Sequence, residues 1–227
     1  MTRFTRTLLL LPVAALALAA HAGAPAPAPP VQARASASAT LPAPRSGWSF
    51  PNHQTLSYAV DWRVFPAGTA VLHLDADGDA ERINVVGDST GAINLLFRVS
   101  DRFQSSFSRS SGCSAYFAKQ LVEGHRLVNS DQRFAYPQSR TTYDEHNLVS
   151  HIHRNEQSPI PSCVTDLLSA MFYMASQPLQ VGQQMHIPVA EAGRVTDVVM
   201  HVEARASVRT PAGPYQTLRV QPTADAG

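Results

Sequence analysis

The sequence predicts a mainly β protein: a curved antiparallel sheet or half-barrel meander with one helix packed on its concave side. Three observations lead there. Short runs of apolar/polar alternation recur about every ten residues, with turn formers between them. Only one stretch, residues 159–177, carries apolar side chains at three- and four-residue spacing. No repeat period of roughly 20–50 residues marks a stacked array.

Taken in order, the chain opens with Arg3 and Arg6 before an apolar run from Leu8 to Ala20. That run is shorter than the roughly 20 residues a spanning helix needs, so residues 1–22 are expected to be a cleaved signal peptide. Small residues at Ala20, Ala22 and Ala24 suit the cleavage positions. Residues 23–46 are Ala, Pro and Ser with little to pack, and are expected to form a disordered linker. Residues 47–227 are then one β-rich domain.

Within it, Leu56, Tyr58, Val60 and Trp62 alternate with Ser57, Ala59 and Asp61, which predicts a half-buried strand over 54–62. Phe65–Gly68 is expected to turn the chain into a second strand over 69–74, closing a hairpin. The acids Asp75, Asp77 and Asp79 resemble the start of a calcium loop, but no bidentate Glu follows at the required spacing, so a solvated turn is expected. Further strands are expected over 83–87, 92–101, 103–108, 115–123, 132–136, 140–144 and 148–154. After the helix come 184–189, a long alternating strand over 194–210, and 215–221. The two strand regions are expected to form one continuous sheet.

The helix is the element around which these strands must fold. Val164, Leu167, Leu168, Met171, Phe172 and Ala175 fall on one stripe. Ser162 is the expected N-cap, and Asp166 sits in the first turn, where backbone dipoles favour a carboxylate. Pro161 and Pro178 mark the ends.

Basic and acidic residues nearly balance, 18 against 17, without a basic stripe, so nucleic acid is not an expected partner. The only cysteines, Cys113 and Cys163, form a candidate disulfide for an exported chain. Once the leader is removed, no stable membrane span is expected.

The motif order resembles a family of exported bacterial proteins known as domain of unknown function 3108. It is carried by Leu56-Ser57-Tyr58-Ala59-Val60-Asp61-Trp62, Ala67-Gly68-Thr69-Ala70 and Val122-Glu123-Gly124. It continues through Asp166, Leu168, Ser169 and Tyr173, then Pro178-Leu179, Val181-Gly182 and Thr210-Pro211-Ala212-Gly213. The resemblance implies an exported β protein without an assigned activity. Family members usually continue past the position of Val220, so it also implies missing C-terminal strands and an open edge at the strand from Tyr215.

Candidate sites are few. His151 and His153, with His146 nearby, have strand spacing for a shared ion, but the remaining ligands are not fixed, and no metal or other cofactor is assigned. Asp166 and Ser169 lie on one helical face and could complete a Ser-His-Asp set with a histidine, though no nucleophile elbow is present. The aromatics Tyr58, Trp62, Phe97, Phe103, Phe107, Phe117, Phe172 and Tyr173 could line an apolar pocket. From these, Tyr58, Trp62, Leu168, Phe172 and Tyr173 are the expected ligand-binding residues. The functional expectation is a periplasmic or secreted, non-enzymatic protein that holds an apolar or envelope-derived ligand, or an envelope protein partner. A secreted hydrolase built on Ser169 and Asp166 is the alternative.

Overall fold

The computed structural model describes residues 41–224. The expected leader, and the expected linker up to residue 40, lie outside the described residues. From Leu41 onward the chain is already docked: Leu41 packs against the core, six residues before the expected start of the domain.

Eight strands form an up-and-down antiparallel meander: β1 (His53–Trp62), β2 (Phe65–Asp77), β3 (Ala80–Ser89), β4 (Ser100–Ser108), β5 (Ser114–Glu123), β6 (Arg126–Ala135), β7 (Arg140–Asn147) and β8 (His153–Pro159). The sheet is open, with β1 and β8 at its edges. A second sheet follows the helix, contrary to the expectation of one continuous sheet: β9 (Gln184–Glu191), β10 (Arg194–Thr210) and β11 (Gly213–Ala224), ordered β11-β10-β9. The two helices are α1 (Gly91–Leu96) and α2 (Leu167–Ser176). Among the described residues, no helix is long and apolar enough to cross a membrane.

Register explains the core. Leu74, Ile83, Ser105, Phe117, Gln132 and Tyr143 stand opposite one another across β2 to β7, and all six are buried. Each apolar member contributes roughly 1.5–3 kcal/mol through the surface it removes from water. The two polar members are satisfied: Ser105 donates to Asp166, and Gln132 donates to Thr141. The small sheet docks through β9. Thr165 bridges to Val189, Lys119 pairs with Glu191, and the Gly193 amide meets Gln132 Oε1. The disulfide forms as expected, joining Cys113 in the β4–β5 turn to Cys163 ahead of α2.

Four local expectations are corrected. Residues 92–101 are not one strand; α1 occupies Gly91–Leu96 and leaves Leu95 and Leu96 exposed. The alternation of Ile93, Leu95 and Phe97 imitated a strand in a segment too short to show helical period. Phe65–Gly68 lies inside β2, because the turn is made at Arg63 and Val64, with Arg63 at φ +60°. Gly68 is needed there for close approach: a Cβ would lie 2.4 Å from the Asp88 carbonyl oxygen. Residues 148–152 turn rather than extend, since Asn147 Oδ1 accepts from the amides of Val149 and Ser150. Finally, β1 is half-buried only at its start; Tyr58, Val60 and Trp62 are exposed.

Candidate functional site

The site is organised by the start of α2. Ser162 does not cap the helix; Asp166 does, four residues later. Its Oδ1 accepts from the amides of Leu168 and Ser169, and the Ser169 hydroxyl accepts from the Asp166 amide, completing a capping box. Its Oδ2 accepts from Ser105 on β4 and Ser114 on β5, each at 2.7 Å. A fully buried carboxylate is costly unless its lone pairs are filled, so these serines fix how α2 is rotated on the sheet.

That rotation overturns the expected apolar stripe. The buried face is Ser169, Ala170, Tyr173, Met174 and Ser176. Leu167 and Met171 are 47% and 63% exposed. Leu168 and Phe172 flank the helix and pack on Phe50, Leu72, Leu74, Ile83 and Phe107. Tyr173 belongs to a second cluster with Met174, Ile187 and Val189. Its hydroxyl donates to the Pro42 carbonyl, and burial pushes its pKa up to about 12. Arg45 donates to the carbonyls of Ala175 and Gln177, placing a cation at the end of the helix dipole, and its guanidinium lies 4.2 Å from the Trp48 ring centroid.

Between the C-terminal half of α2 and the face of β10 and β11 lies a cleft of about 910 Å³. Its apolar wall is Met171, Met174, Leu179, Met200, Leu218 and Val220; Trp48, Arg45 and Arg205 also line it. A β-bulge builds this wall. The register of β10 slips between Val202 and Ala204, so Val202 faces Val220 while Arg205 faces Leu218. One extra residue reverses the alternation and puts Arg205 on the cleft side with Met200 and Val202. Among the described residues, Arg205 makes no ion pair or side-chain hydrogen bond.

The expected ligand residues are thus dispersed. Leu168 and Phe172 fill the first core cluster and Tyr173 the second, whereas Tyr58 and Trp62 stand exposed on β1, in neither cluster. Phe107 and Phe117 are buried core, and Phe97 is exposed beside Gly124. Met200, Arg205, Leu218 and Val220 escaped sequence reasoning because a bulge leaves no mark in an alternating run.

Other candidates resolve by their contacts. No histidine among the described residues hydrogen-bonds Asp166 or Ser169, and both are fully buried in the cap. Of the three acids expected in a turn, Asp75 and Asp77 extend β2 and only Asp79 turns, and they do not converge: Asp75 pairs with His53, Asp77 with Arg82, and Asp79 accepts from Ser108 and Ser110. Those serine bonds, Ser108 foremost, hold the Asp79 carboxyl below the usual range. His151 does not share a strand face with His153; it sits in the turn at φ +57°. His153 instead stands opposite His146 across β7 and β8; His153 hydrogen-bonds Asp144 Oδ2, and His146 Nε2 lies 3.0 Å from Asp144 Oδ1.

Fold and site together define an open antiparallel β protein with one capped helix flanking an apolar cleft. The chain belongs to the DUF3108 family, described as protein of unknown function, whose model matches residues 57–227. No curated protein and no solved structure matches the chain.

Proposed function

We propose that this chain is an exported, non-enzymatic binding protein that holds an apolar, envelope-derived molecule in the cleft between α2 and β10–β11. The observation that carries the reading is the cleft: about 910 Å³, walled by three methionines and three aliphatic side chains. Ligand pockets of small molecules fall in this size range and are mostly apolar. Methionine adapts its shape to varied apolar chains. Arg205, on the same face, supports an acidic head group such as a carboxylate or phosphate. Export is supported by the leader-like residues 1–22 and by the disulfide, which persists in oxidising compartments.

The test is displacement of a fluorescent fatty acid, cis-parinaric acid, from the full chain, with native mass spectrometry of protein purified from an oxidising compartment. Saturable uptake is expected, lost in Leu218→Glu and retained in Trp62→Ser, which does not line the cleft. Arg205→Glu is expected to weaken uptake of the acid more than of the matching fatty alcohol. Absence of saturable uptake, or equal uptake by Leu218→Glu, would overturn the reading.

A further inference from the structure

We propose that Asp144, His146 and His153 form a site for one divalent transition-metal ion, zinc foremost, on the face of the large sheet opposite α2.

Placement follows from register. His146 on β7 faces His153 on β8, and Asp144 lies two residues from His146 on the same face. The imidazoles stack at 3.9 Å, and both turn Nε2 toward one carboxylate: His146 to Oδ1 at 3.0 Å and His153 to Oδ2 at 2.8 Å. The three donor atoms lie within 4.8 Å of one another. Zinc bonds of about 2.0–2.2 Å space tetrahedral ligands by roughly 3.4 Å, so the group is near ligand spacing already. Each ring is about half exposed and can turn until its lone pair meets a shared ion.

Two further observations favour a cation there. Asp131 on β6 stands directly opposite Asp144, so two carboxylates face each other across adjacent strands. Asp131 Oδ1 is buried and makes no hydrogen bond; Arg133 approaches it at 2.5 Å as an ion pair without hydrogen-bond alignment. Asp131, Asp144 and His146 also line a depression of about 180 Å³, room for the water that completes a three-ligand site. Asn155 on β8 donates to Asp144 Oδ2 at 2.7 Å and orients the carboxylate. Two imidazoles and a carboxylate suit zinc, nickel, copper or cobalt better than magnesium or calcium. Elsewhere His53–Asp75 and His186–Asp197 offer one imidazole each; Asp144 gathers two.

The test is equilibrium dialysis of the full chain against zinc chloride with magnesium in excess, and imidazole NMR of the same samples. One zinc per chain is expected, absent from the His146→Ala/His153→Ala double variant, weakened at least tenfold in Asp144→Asn, and kept in His151→Ala. In the native chain, zinc should shift the ring resonances of His146 and His153 together. Failure to take up zinc, uptake unchanged in the double variant, or zinc-induced shifts confined to other histidines would overturn the assignment.

Discussion

Gly112 lies against the ring of Tyr173: a Cβ added to Gly112 would sit 2.5 Å from Tyr173 Cδ2. The ring cannot retreat, because it is fully buried and its hydroxyl is held by the Pro42 carbonyl. Gly112 is also at φ +76°, where an L side chain is strained. Gly112→Ala should therefore cost about 2–4 kcal/mol from overpacking and backbone strain together, read from urea unfolding midpoints. A midpoint equal to the native one would show that Tyr173 is not anchored as described.

Asp166 carries the entry of α2. Asp166→Ala removes the cap, strands the Ser105 hydroxyl and takes one of the partners of Ser114, so a loss of about 3–5 kcal/mol is expected. Asp166→Asn keeps an acceptor for the helix amides and should cost less than half of that. Ser169→Ala should lower stability by about 1–2 kcal/mol, as the loss of a buried hydroxyl that caps the Asp166 amide and bonds Ser114. Equilibrium unfolding by circular dichroism ranks the three; an unchanged Asp166→Ala midpoint would contradict a structural role.

Glu81 is fully buried, and neither carboxylate oxygen is hydrogen-bonded. Burial raises its carboxyl above the usual range, an effect that Arg109, with Nε 3.7 Å away, only partly offsets. The folded chain thus holds this proton more tightly than the unfolded chain. Its contribution is present at acid pH and is lost as pH rises from the ordinary glutamate value of 4.5 toward the raised one. Glu81→Gln should gain stability relative to native as pH rises through that window. Urea midpoints of both proteins across pH 4–8 check the sign, and a Glu81→Gln midpoint that falls relative to the native one as pH rises would refute it.

The Cys113–Cys163 bridge spans a separation of 50 residues. Restricting a loop of that size in the unfolded chain is worth about 4 kcal/mol in the entropic account. Unfolding with and without a reductant, or in Cys113→Ser/Cys163→Ser, should show a loss of that order. A loss well below 1 kcal/mol would mean that the reduced chain stays compact when unfolded.

Legibility in the sequence tracked whether a signal was local. Strands announced themselves where alternation and turn formers coincided, and β10 matches its expected span, Arg194–Thr210, at both ends. The existence of α2 was legible, but its buried face was not. That face contains Ser169 and Ser176 because the helix is oriented by Asp166 reaching serines on β4 and β5, more than fifty residues away in the chain. The cleft depended on a bulge at Val202, and the His146–His153 pair on a turn ending at Ile152; both are matters of register. The separation of the second sheet was hidden for the same reason: alternation reveals faces, not partners.

The bridge has a mechanical corollary. Tension applied between the two ends of the chain passes from Cys113 directly to Cys163, so β5, β6, β7 and β8 lie outside the load path. Stretching the oxidised molecule could pull out β1–β4 and β9–β11, while roughly 170 Å of contour length stays locked behind the sulfur link.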